Sequence, residues 1–152
     1  MDKFDKQLLA LLQADADSTS EQLAEEVALS PSAIQRRVRR MKDEGVIERM
    51  IAVIDPKAAS PLAFFVVGLQ IERERPELLS QLRRWLREEP QIQQAFYVTG
   101  DADFVLVVTA PDMEGYESLM SRLMVENSNV RRYTTNVSLG LVKRGLEIPL
   151  NY

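Results

Sequence analysis

Along residues 4–13 the apolar positions Phe4, Leu8, Leu11 and Leu12 recur at helical spacing, which predicts an amphipathic helix with one buried stripe. Thr19-Ser20-Glu21-Gln22 has the spacing of a capping box and opens a short helix burying Leu23, Ala24 and Val27. After a break at Leu29, Ser30-Pro31 is a second start: Ser accepts from the first-turn amides and Pro fits the first helical position. That third helix runs to Glu44, where Gly45 supplies a left-handed stop. From Val46 to Ile54 the pattern alternates, predicting a short β-hairpin or wing plus a connecting strand that ends at Asp55-Pro56. Residues 55–61, Asp-Pro-Lys-Ala-Ala-Ser-Pro, read as a linker.

Beyond the linker the period shortens. Leu62 to Glu72 is β-rich, and residues 76–88 form a helix with Leu78, Leu79, Leu82, Trp85 and Leu86 on one face, closed by Pro90. Ile92–Thr99 and Phe104–Thr109 read as a hairpin around Gly100-Asp101-Ala102. Pro111-Asp112 starts a helix bearing Tyr116, Leu119, Met120 and Leu123, and Val130–Val142 reads as a last long strand. Met120, Met124 and Trp85 fall at core spacing. The order β-α-β-β-α-β is a split βαβ, ferredoxin-like sandwich with both helices on one face of an antiparallel sheet, so the fold class is α+β. Strands apolar on both sides, Phe104-Val105-Leu106-Val107-Val108 above all, predict that the open face meets a second copy, giving a homodimer.

The first three helices, with a turn of about three or four residues between the last two, form a helix-turn-helix arrangement. At roughly 100° per residue, Ile34, Val38 and Met41 turn inward while Ser32, Arg36, Arg39 and Arg40 fall on the opposite side, with Gln35 on its flank. The formal net charge of −4 over 152 residues argues against a phosphate-rich partner, but distribution outweighs it: residues 36–42, Arg-Arg-Val-Arg-Arg-Met-Lys, hold no acid. A solvated helix face has the same composition. The grouping of the basic side chains on one exposed side is what fits a helix that enters a DNA major groove and neutralises flanking phosphates.

Composition narrows the chemistry further. With neither cysteine nor histidine there is no disulfide framework, thiolate zinc site, thiol nucleophile or imidazole base, and no constellation of carboxylate, lysine or hydroxyl groups suggests catalysis. No metal and no cofactor is expected. No apolar run approaches the ~18–20 residues that span a bilayer, and Met1-Asp2-Lys3-Phe4-Asp5 lacks the layout of a secretory signal, so a cytoplasmic protein with no membrane partner is expected.

These residues together resemble the Lrp/AsnC, or feast/famine, transcriptional regulators over essentially the whole chain. Leu8–Gln13, Gln22–Ser32 and Arg36–Ile47 are similar to that family's winged helix-turn-helix, and Thr99-Gly100-Asp101-Ala102-Asp103-Phe104 to the Gly-Asp-x-Asp-aromatic turn of its regulatory domain. The resemblance implies a winged helix-turn-helix over 1–54, the linker 55–61, a ferredoxin-like effector and dimerisation domain over 62–143, and a tail over 144–152. It implies a regulator of double-stranded DNA with a pseudo-palindromic operator, a dimer assembling to an octamer, and an amino-acid-like effector bound between dimers. The residues expected at DNA are Ser30, then Ser32, Gln35, Arg36 and Arg39 near bases, with Arg37, Arg40 and Lys42 near phosphates. The effector is expected at Thr99, Gly100, Asp101 and Asp103, with Met113, Asn136, Val137 and Ser138 as pocket wall. Backbone amides at a Gly turn suit a carboxylate and an acid such as Asp103 suits an ammonium group. Gly100-Asp101 is also compatible with a plain hairpin turn. Asn136 and Ser138 make this wall more polar than in several relatives, which favours a polar or small effector. Siroheme decarboxylases resemble the same architecture, and some relatives regulate through protein partners; the missing histidine weighs against the first and the intact basic helix against both.

Overall fold

The computed structural model describes residues 1–59, 61–72 and 75–150; Ser60 of the linker and Asn151-Tyr152 of the tail lie outside them. The chain divides into two compact units, Met1–Val53 joined by the tail from Lys143, and Ile54–Val142.

The first unit carries α1 (Lys3–Ala14), α2 (Ser20–Glu26) and α3 (Pro31–Asp43). All three begin on side-chain caps. Thr19 and Gln22 form the expected box, and Ser30 Oγ accepts from Ala33 N with Pro31 in the first turn. The helix α1 starts earlier than its apolar stripe, because Asp2 accepts from the Phe4 and Asp5 amides and Asp5 returns the bond to the Asp2 amide. At the end of α3, Gly45 takes φ 73°, where a Cβ would be strained, and its amide donates to Lys42 O. Leu8, Leu23, Val27, Ile34 and Met41 form the core.

No strand forms over 46–54, contrary to the alternating pattern. Ile47 N donates back to Met41 O at 3.0 Å, and residues 48–55 run as neither helix nor strand. Val46, Met50, Ile51, Val53 and Ile54 are all exposed. Alternation shows which side chains share a face, but a strand also needs a neighbouring strand. The tail joins this unit through Gln13 of α1, whose side chain accepts from Ile148 N at 2.8 Å and donates to Ile148 O at 3.1 Å.

The second unit opens with α4 (Pro56–Ala59), one short helix inside the expected linker, started by Asp55 Oδ1 accepting from Lys57 N. It continues as β1 (Ala63–Ile71), α5 (Pro76–Glu88), β2 (Ile92–Tyr97), β3 (Phe104–Ala110), α6 (Met113–Glu126) and β4 (Val130–Val137). The sheet order is β2-β3-β1-β4, antiparallel throughout, as the split βαβ arrangement requires. Phe65, Val67, Leu69, Leu106, Val108, Leu82, Leu86, Tyr116, Leu119, Met120 and Leu123 build the core between the sheet and its helices. Trp85 and Met124 pack at its edge, and Trp85 Nε1 donates to Glu126 Oε2 across the two helices.

The last strand ends at Val137, five residues short of the expected end at Val142. Its partner β1 begins at Ala63, so after Ser138 N donates to Phe64 O the ladder has no further rungs, and Leu139 and Val142 stand fully exposed. Alternate residues of the paired strands face away from the helices: Phe96 on β2, Val105 and Val107 on β3, Val66 and Gly68 on β1, Thr134 and Asn136 on β4. An apolar strip therefore crosses the middle of the helix-free face, with Val66 and Phe96 about half exposed.

Candidate functional site

On α3 the side chains of Ser32, Gln35, Arg36, Arg39, Arg40 and Lys42 are exposed, and Ile34 and Met41 are buried. Among the described residues Arg36, Arg39 and Lys42 make no ion pair, so their charge is available to an outside anion. Ser30 Oγ caps the helix, as the Ser-Pro start predicts, and lies 3.1 Å from Ser32 Oγ.

Arg37 and Arg40 are engaged within the chain. Arg37 Nη1 donates to Asp2 Oδ2 at 2.7 Å and Asp5 Oδ1 at 2.8 Å, while Arg40 Nη2 donates to Asp5 Oδ2 at 2.7 Å. Asp5 is buried, with its carboxylate between the two guanidinium groups. Burial alone would push this carboxyl up, but the Asp2 amide and the Arg37 guanidinium hold it below the usual carboxylate value. Asp2 is likewise held low by the Asp5 amide and by Arg37, and the two acids raise Arg37 above its ordinary value. In the free protein these two arginines are bound to α1 rather than presented as phosphate ligands. Helical spacing places a charge on a face and does not say whether an acid from another helix meets it there.

The turn between β2 and β3 is built by its own backbone. Gly100 has φ 123°, a conformation that favours glycine, and Asp103 N donates to Leu69 O while Val98 N donates to Asp103 O. Asp103 Oδ2 accepts from Ile71 N at 2.8 Å, so this carboxylate already serves the sheet, with Oδ1 unengaged among the described residues. Gln70 completes the bracing: Nε2 donates to Asp101 O, and Oε1 accepts from Arg132 Nε at 2.8 Å. Beside the turn, Gly68 leaves no room for a side chain, because a Cβ would lie 2.9 Å from Thr134 Oγ1 and 3.3 Å from Ala102 Cβ.

The expected effector residues do not gather in one chain. Asp103 sits beside Leu69, whereas Val137 pairs with Phe65 and Ser138 bonds Phe64, four and five positions back along β1. At ~3.3 Å per strand residue that separation is on the order of 13–17 Å. Met113 follows β3 at the Val137–Ser138 end, since Ala110 pairs with Ala63. Asn136 faces the open side of the sheet, and its Nδ2 donates to Val66 O. Thr99, Gly100 and Asp101 stand exposed at the opposite end. Gln70, Arg132, Asp2 and Asp5 are the site-shaping residues that pattern reasoning missed; only the Asp2-x-x-Asp5 spacing before an apolar stripe could have signalled any of them.

Residues 65–148 match the model of the Lrp/AsnC ligand binding domain, and residues 1–48 match that of a winged helix-turn-helix DNA-binding domain. The chain is 38% identical over 150 residues to an uncharacterized HTH-type transcriptional regulator of Sinorhizobium fredii, covering 99% of this chain and 89% of that one. It is 28% identical over 144 residues to the leucine-responsive regulatory protein of Escherichia coli, covering 95% and 88%. In structure it is similar to an AsnC family transcriptional regulator from Agrobacterium tumefaciens, at TM-score 0.90 and 28% identity over 100% and 99% of the two chains. It is also similar to a transcriptional regulator of Neisseria meningitidis in complex with L-Met, at TM-score 0.87 and 25% identity over 99% and 97%.

Proposed function

Because this chain belongs to the Lrp/AsnC family of DNA-binding transcriptional regulators, we propose that it reads a specific pseudo-palindromic DNA site as a homodimer and responds to an amino acid with a small or polar side chain. The observation that carries the DNA half is the unpaired, exposed set Gln35, Arg36 and Arg39 on a helix whose opposite side is core. Gln35 suits a bidentate bond to adenine and Arg36 one to guanine, each worth ~1–3 kcal/mol of discrimination. Arg36→Ala is therefore expected to cost about 10- to 100-fold on the preferred site and little on unrelated duplex, read by titrating both. An equal loss on every sequence would make Arg36 a phosphate contact.

The effector half is supported by the turn. Exposed amides around Gly100 suit a carboxylate, and Asp103 Oδ1 is available to an ammonium group. With Met113, Val137 and Ser138 at the other end of the same sheet, a complete pocket needs turn and wall from different copies, which fits a ligand bound between dimers in an octameric ring. The Neisseria meningitidis regulator was crystallised with L-Met, an amino acid whose side chain is larger and less polar than the one proposed for this chain. A thermal-shift screen against the twenty amino acids tests this, since a ligand at 100 times its Kd stabilises by ~2.7 kcal/mol. The stabilisation is expected to vanish in Asp103→Asn, which keeps an oxygen for Ile71 N and removes the charge; a hit that persists unchanged would place the ammonium elsewhere.

A further inference from the structure

We propose that Asp5 is a positioning residue for DNA reading, one carboxylate that sets the rotation of α3 about its axis by holding Arg37 and Arg40 against α1. The inference rests on the DNA-binding reading and adds to it which residues are withheld from DNA. A hydrophobic stripe seats a helix but tolerates some roll; a buried carboxylate taking one guanidinium on each oxygen, from positions three apart, does not. Asp5 Oδ2 is itself fixed by the Asp2 amide at 3.0 Å, and Asp2 Oδ2 takes Arg37 as well. The Arg37 guanidinium also lies 5.6 Å from the centre of the Phe4 ring. Roll decides which side chains meet base edges, and in the braced position Gln35, Arg36 and Arg39 are outward while Arg37 and Arg40 neutralise acids of their own chain.

Two opposed signs separate positioning from simple charge. Removing an acid beside a DNA-binding helix should tighten binding to every duplex if charge is all that matters. The brace predicts instead that Asp5→Asn lowers the ratio of affinities for selected site and scrambled duplex by tenfold or more, while scrambled binding is held or strengthened. Titrations across salt give the second readout: Lys42→Ala reduces the slope of log K against log salt by ~0.9, the value of one phosphate contact, whereas Arg37→Ala leaves it unchanged. Circular dichroism checks that each full-length variant is folded; should Asp5→Asn unfold, Arg37→Lys, which keeps the charge and loses the two-acid fork, is expected to show the same fall in ratio. An unchanged ratio in folded Asp5→Asn (or in Arg37→Lys if Asp5→Asn does not fold), or a slope lost in Arg37→Ala as in Lys42→Ala, overturns the proposal. A wild-type chain that prefers no duplex would instead overturn the DNA reading on which it rests.

Discussion

Val107→Asp is expected to leave both units folded and to return the protein to single chains, with at least a hundredfold loss of affinity for its DNA site. Val107 lies at the centre of the helix-free face, paired with Val66 on one side and Gln94 on the other, and Phe96 and Val105 extend the apolar strip. In the proposed dimer this strip is covered by the same strip of a second copy, a self-complementary arrangement that two-fold symmetry allows. A carboxylate there is desolvated against the apolar strip of the second copy without a partner, at a cost of several kcal/mol. Every ~1.4 kcal/mol shifts the association constant tenfold, so dimers disappear at ordinary concentrations, and a palindrome then meets one reading head instead of two. In the single chain the same position is partly exposed, so the fold tolerates the change. Sedimentation and site titration measure the outcome; a dimer that survives the substitution would move the interface off this face.

Leu8→Ala is expected to unfold the reading unit and leave the sheet unit intact. Leu8 is fully buried among Leu23, Val27, Ile34 and Met41, so truncation removes its contacts and opens a cavity, typically costing 2–5 kcal/mol. A unit of this size holds only about 3–9 kcal/mol at ~0.05–0.15 kcal/mol per residue. The loss is thus most of the unit's stability. Two separated melting transitions, with only the lower one shifted and DNA binding lost at room temperature, are the expected record. One cooperative transition shifting as a whole would show that the two units do not unfold independently.

The parts of this architecture legible in the sequence are those decided locally. Thr19-Gln22 and Ser30-Pro31 cap their helices as spelled, because a cap is a bond between residues three apart. The helix at 76–88 and the hairpin strands follow from periodicity, and the order of elements leads to the antiparallel sheet. What periodicity does not contain is the identity of the partner. The alternating runs at 46–54 and 138–142 read as strands but lack a ladder. Arg37 and Arg40 read as free charge, and their acids lie 35 residues away at Asp2 and Asp5. Asp103 was legible as a notable acid, but its bond to Ile71 N depends on a register between strands that only the fold sets.

In the proposed function this chain reads one DNA sequence through the outward face of α3. Selection from a pool of random duplexes with the full-length wild-type protein tests it directly. Enrichment of a pseudo-palindrome is expected, with half-sites one helical turn or a multiple apart and affinity on the order of 10³-fold or more above scrambled duplex at physiological salt. A pool that stays random after repeated rounds, or binding equal on all duplexes and removed by salt alone, would contradict it.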